Sequence, residues 1–324
     1  MTDLQKSLSN GTLNVFDVNG EEVKDGRKLT HYLVDAETGE VSRSVYEGSR
    51  IISAEQTQAA MQHRQATDAQ MSYGPFTFLF FTPLKDLGFD ISMSSYTRLM
   101  YASTYLTYKG YLGDTVAGGK VHPFTRNKLK EIMKLSPTRF DEFWSEMLAA
   151  GIFKVDLAKG DDDSRVVRAI FLDQSKFHRG SIETDVNQSY IRLNVEGVRS
   201  MYETCKTAKM HKTLAYIFKI IPWINREWNL ACKNPDEKDY DSIRYLRLGE
   251  FAEMVGYSRD NAKRLAKDLN SVRFTWRNRE QAAFIYMTNA PDRPDEWIIA
   301  INPRIYYAGQ NFELVQIPDC GRTD

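Results

Sequence analysis

Between Ser136-Pro137 and Gly151, the residues Phe140, Phe143, Trp144, Met147 and Leu148 fall at i, i+3, i+4, i+7 and i+8. That spacing lays one apolar stripe along a helix and leaves the other face polar, so the segment can exist only against a surface that covers the stripe. Ser136 suits the N-cap, Pro137 the first helical position, and Gly151 the residue that closes the end. Upstream, Tyr96, Leu99, Met100 and Leu106 predict a helix from Ser94, and Leu129, Ile132 and Met133 predict a second from near Thr125. Downstream, 152–157 and 166–172 are apolar runs on either side of a polar tip, the pattern of a two-stranded hairpin. Three helices followed by a hairpin is the order of a winged helix.

The order recurs. Met210, Leu214, Ile217, Phe218 and Ile221 share a helix face, with 223–228 as an extension past Pro222. Leu248, Phe251, Ala252 and Val255 form a short helix stopped by Gly256. Ser258 is placed to cap the next helix, whose inner face is Ala262, Leu265, Ala266 and Leu269. The runs 283–288 and 297–301 then predict a second hairpin, with Pro291 and Pro294 stiffening its tip. The resulting expectation is an α+β, mainly helical chain of two winged-helix (helix-turn-helix) units, 74–200 and 201–315. They follow a small β-hairpin segment at 1–53, with turn signals at 18–20, 24–26 and 37–40, and a linker or exposed helix at 54–73; a tail covers 316–324.

Forty-three basic residues balance forty-three acidic ones, so net charge argues for no class of partner and any electrostatic case must be local. The apolar run Phe76–Phe81 is far short of the ~20 residues that span a bilayer, and it predicts a buried strand. No basic-then-apolar leader opens the sequence, and Cys205, Cys232 and Cys320 lack CxxC spacing. Reduced thiols in a cytoplasmic protein, away from membranes, are the expectation.

Local charge is concentrated in one place. The outward positions of 258–270 are Arg259, Asn261, Lys263, Arg264 and Lys267, and Arg273, Arg277 and Arg279 extend the basic run to a net +5 over 259–279. Guanidinium and carboxamide groups offer the paired hydrogen bonds that base edges accept, which assigns Arg259, Asn261 and Arg264 to bases; Lys263 and Lys267 suit phosphates. The competing reading of such a face is simple solvation. In the first unit the corresponding helix shows Arg139 beside Asp141, Glu142 and Glu146, and its hairpin tip holds Asp161-Asp162-Asp163, so that surface would repel phosphate. Its basic residues lie on the preceding helix, as Arg126, Lys128, Lys130 and Lys134, suited to backbone contact or a protein interface, and beyond the hairpin, as Lys176, His178 and Arg179.

Catalytic patterns are absent from the sequence. The five histidines are isolated from one another, so neither the metal pair of a nickase nor a zinc set with Cys205 and His211 forms. The loop 113–120 misses the phosphate-loop spacing, and Val121 stands where a hydroxyl would hold magnesium. No cofactor, metal or catalytic residue is expected.

The stretch from Tyr245 to Arg259 and the close Ile301-Asn-Pro-Arg-Ile-Tyr-Tyr-Ala-Gly309 resemble the winged-helix replication initiators of Gram-positive plasmids and phages. The resemblance implies sequence-specific binding to double-stranded DNA at an origin or operator, with 258–270 as recognition helix. The expected function is a replication initiator or transcriptional regulator that is not an enzyme, with a homodimer and host replication or transcription proteins as further partners. The alternatives are a tyrosine-recombinase-like DNA-binding protein and a protein-interaction module.

Overall fold

The computed structural model describes residues 13–17, 23–24, 27–35, 41–46, 74–115, 120–161, 166–180, 182, 189–205, 207–287 and 292–309. The expectations for 54–73, for the tail 316–324 and for Cys320 lie outside them. The chain divides into two compact units, 1–68 and 69–324.

In the first unit β1 (Leu13–Asp17), β2 (Val23–Lys24), β3 (Arg27–Asp35) and β4 (Val41–Tyr46) form an antiparallel sheet around the long β3. Leu33 lies opposite Val15 on one edge and Arg43 on the other, while β2 pairs with the start of β3. The expected hairpins are present as β2–β3 and β3–β4, but β1 joins β3 rather than its neighbour in sequence.

The second unit opens with β5 (Phe76–Phe81), in which Thr77, Leu79 and Phe81 point to the core. Helix α1 (Met93–Ser103) follows, capped by the Ser92 hydroxyl. Next come the β6–β7 pair (Gly113–Thr115, Val121–Pro123) and α2 (Arg126–Met133), capped by Thr125. Helix α3 (Pro137–Ala149) buries Phe140, Phe143 and Met147, and Gly151 at φ 68° turns the chain into the β8–β9 hairpin (Phe153–Ala158, Val167–Leu172). Ser136 makes no side-chain cap bond; Pro137 alone marks that helix start.

Strand β10 (Phe177–His178), strand β11 (Ser189–Asn194), helix α4 (Val195–Thr204) and helix α5 (Ala208–Lys219) lead to α6 (Leu248–Met254) and α7 (Ala262–Asn270). Helix α5 does not run through Pro222: a 3-10 turn at Ile221–Trp223 ends it, and Ile224 then bridges to Ala231. Two hairpins close the unit, β12–β13 (Arg273–Trp276, Arg279–Ala282) and β14–β15 (Phe284–Met287, Ile298–Ile301), before β16 (Tyr306–Tyr307).

The expected fold class needs correction. Sixteen strands accompany seven α-helices among the described residues, so the chain is sheet-rich α+β and not mainly helical. Nor do two self-contained winged-helix units stand in sequence. The four-stranded antiparallel sheet β10-β5-β11-β16 draws strands from both expected units, and one hydrophobic core runs from Leu79 to Tyr306. Helix α1 packs on α5, where Thr97 Oγ1 donates to the His211 carbonyl at 2.6 Å. The reason is physical: β5 and β16 each need β11 to satisfy their backbone hydrogen bonds, and the sequence period of a strand does not say which strand pairs with it.

Candidate nucleic-acid interface

Helix α7 is the most sharply two-sided helix of the basic region. Ala262, Leu265, Ala266 and Leu269 are all at most 3% exposed, while Lys263, Arg264 and Lys267 project outward and are exposed. Fully burying Leu265 and Leu269 contributes about 1.5–3 kcal/mol each, which holds the helix by its inner face and leaves the outer one unconstrained. Among the described residues no carboxylate forms an ion pair with Lys263, Arg264 or Lys267.

The start of α7 differs from expectation. Arg259–Asn261 form a 3-10 turn, and the α-helix proper begins at Ala262. Ser258 makes no cap bond to the backbone; its hydroxyl accepts from Asn261 Nδ2 at 2.8 Å. Arg259 Nε lies 3.6 Å from Asp295 Oδ2, where Gly249 lets the turn Pro294–Glu296 approach α6. A side chain at Gly249 would come within 3.0 Å of Asp295 Cβ and 3.1 Å of Arg259 Cγ. Arg259 is therefore partly neutralised and Asn261 partly engaged, whereas Arg264 is neither.

The residues beyond α7 are not a loose basic extension. Arg273 and Arg279 sit on the two strands of the β12–β13 hairpin, and Arg277 and Asn278 form its turn with φ of 47° and 64°. Two consecutive left-handed residues give the mirror-image turn that matches strand twist. Phe274 and Trp276 face inward, and Trp276 is flanked by Arg277 at 5.8 Å and Arg304 at 6.0 Å from its ring centre. Arg273 reaches the Asn270 carbonyl at 2.7 Å and Glu280 at 4.0 Å. Helix α4 holds the hairpin base: the Thr275 amide donates to Ser200 Oγ at 2.7 Å, and Thr204 Oγ1 donates to the Arg273 carbonyl at 3.0 Å. Sequence reasoning missed this hairpin and its α4 support. The inward alternation of Phe274 and Trp276 ahead of Asn278 was the available signal.

On α2 the expected contacts are engaged locally. Arg126 Nη2 lies 2.6 Å from Asp141 and its guanidinium stands over Phe140 and Trp144; Lys128 Nζ is 3.1 Å from Glu131. Lys130 is half-buried. The tip residue Asp161 binds Lys109 and the Val121 amide, while Asp162 and Asp163 lie outside the described residues.

Cys205 and Cys232 are buried free thiols, and burial pushes Cys232 up to about 11. Among the described residues no group of three His, Cys, Asp or Glu could hold a metal ion, and no helix is long and apolar enough to cross a membrane. No known protein family, curated protein or solved structure matches the chain.

Proposed function

We propose that the chain is a sequence-specific double-stranded DNA-binding protein that works without catalysis, with α7 as the element that meets the major groove. One observation carries the reading: Lys263, Arg264 and Lys267 form an exposed basic face, without acidic partners among the described residues, on a helix anchored by four buried positions. A helix fits the major groove, where a guanidinium pairs with guanine and ammonium groups with phosphate. The hairpin arginines Arg273, Arg277 and Arg279 add phosphate contacts, with Arg259 and Asn261 secondary. A cytoplasmic role at a phage or plasmid origin or operator, as initiator or regulator, fits this surface and the resemblance at Tyr245–Arg259.

Selection of bound fragments from random duplex tests it. An enriched motif is the expected result, with Arg264→Ala reducing discrimination by roughly 1–3 kcal/mol and Asn261→Ala by less. Absence of any motif, or unchanged discrimination in Arg264→Ala, would sink the assignment. Incubation with supercoiled DNA and magnesium should give neither nicked product nor a covalent tyrosine adduct; either product would make the protein an enzyme.

A further inference from the structure

At the end of β10 the chain passes as His178-Arg179-Gly180 beside Tyr108. That tyrosine is 76% exposed, and the Arg179 guanidinium lies 5.8 Å from its ring centre. Gly180, at φ 124°, allows the passage: a side chain there would meet Tyr108 Cδ1 at 3.3 Å and His178 Nε2 at 3.6 Å. Arg179 Nη1 is buried and has no hydrogen-bond partner.

A second guanidinium adds its charge to that of Arg179. Arg199 of α4 donates from Nε to Thr104 Oγ1 at 2.9 Å and from Nη2 to the Thr104 carbonyl at 3.0 Å, and its guanidinium carbon lies 3.6 Å from the Tyr105 ring centre. Burial lowers Arg179's hold on its proton, the Tyr108 hydroxyl opposes this through its charge and a side-chain hydrogen bond, and the Arg199 charge adds to the lowering. No carboxylate among the described residues pairs with either arginine, and Asp161 is bound to Lys109. Two like charges, one with a desolvated and unpaired N–H, are costly to hold together unless an anion joins them.

We propose that Arg179 and Tyr108 form a receptor for one phosphate of a nucleic-acid strand, with Arg199 adding positive charge to it and the sugar or base of that nucleotide against the Tyr108 ring. A phosphodiester oxygen can accept from the unpartnered Arg179 Nη1 while the Arg199 guanidinium, held by Thr104, adds charge, and the exposed Tyr108 ring offers the stacking surface that nucleotides use. The inference rests on the nucleic-acid reading above but uses none of α7. Helix α4 links the two regions, since Ser200 beside Arg199 anchors the β12–β13 hairpin.

The test uses the full chain and a labelled random 20-mer, single-stranded and as duplex, across a salt series. Arg179→Gln should weaken binding about fivefold near 0.15 M salt and lower the slope of log affinity against log salt by about one. Its melting temperature should stay near that of wild type, because the buried Nη1 has no hydrogen-bond partner to lose. Tyr108→Ala should weaken the single strand more than the duplex; wild-type affinity for both overturns the stacking half of the inference. Wild-type affinity and slope in Arg179→Gln overturn the site, as does a free nucleoside monophosphate displacing the strand at micromolar concentration, which would make it a small-ligand site. Loss of binding in Lys263→Gln/Lys267→Gln alone leaves α7 standing and removes this site; loss in Arg179→Gln alone does the reverse. A wild-type chain that binds neither probe overturns both.

Discussion

The Arg126 guanidinium sits 2.6 Å from the Asp141 carboxylate and 5.5 Å from the ring centres of both Phe140 and Trp144. This basic residue is therefore already satisfied by α3, its own neighbour, both as an ion pair and as a cation over aromatic faces. Such exposed interactions are worth about 0.5–1 kcal/mol together after screening. Arg126→Gln should cost that much in a denaturant titration and leave the salt dependence of DNA binding nearly unchanged. A slope reduced by one or more would place α2 on the DNA.

Lys263 and Lys267 lie one turn apart on the outer face of α7, where no acid among the described residues competes for them. Replacing both by Gln should reduce the slope of log affinity against log salt by about two, since each lost phosphate contact releases about one counterion fewer. Arg139→Gln, beside Asp141, Glu142 and Glu146, should change it little. Equal responses from the two variants would reverse the ranking of α7 over α3.

Arg277 holds φ 47° at the β12–β13 turn, a conformation that Asn and Gly adopt at lower cost than arginine. The double variant Arg277→Asn/Asn278→Gly should stabilise the chain by up to about 1 kcal/mol. If Arg277 contacts DNA, the same variant binds duplex more weakly although it unfolds less readily. Greater stability with undiminished affinity would confine Arg277 to the turn.

His211 is 5% exposed, stacks on Tyr202 at 4.8 Å, and is held down to about 4 by burial first and by the Arg98 charge second. The fold thus favours neutral imidazole, while the unfolded chain takes up the proton from about 6.5 downward. Its contribution is complete above 6.5 and declines as pH falls toward 4, by at most about 1.4 kcal/mol per pH unit. His211→Phe keeps the stack and removes the titration, so the loss of urea midpoint between pH 7 and pH 4.5 should shrink relative to wild type. An unchanged loss would mean that other groups dominate the acid response.

Gly197 of α4 faces the Arg304 backbone so closely that an added side chain would collide with its carbonyl oxygen. Gly197→Ala should destabilise by about 1–3 kcal/mol, measured by thermal unfolding, because backbone rather than a flexible side chain must move. The shift should also loosen the hairpin that Ser200 and Thr204 anchor, seen as faster amide exchange at Thr275. A melting temperature equal to wild type would show that the 302–305 turn yields freely.

What could be read from sequence was local. Phe140 to Leu148, Leu248 to Val255 and Ala262 to Leu269 marked α3, α6 and α7, and the apolar runs around 152–172 and 283–301 marked the hairpins β8–β9 and β14–β15, because amphipathic period follows directly from backbone geometry. The outward set Lys263, Arg264 and Lys267 came from the same period. What tertiary structure alone decided was partnership. Strand β11 joins β5 to β16, a pairing across more than a hundred residues that merges two expected units into one core. Asp141 reaches Arg126, Asp295 reaches Arg259, and no carboxylate among the described residues pairs with Arg179 or Arg199. Spacing along a helix says which way a charge points; which opposite charge meets it depends on where a distant turn is carried by the fold, and that is set by the packing of the whole core.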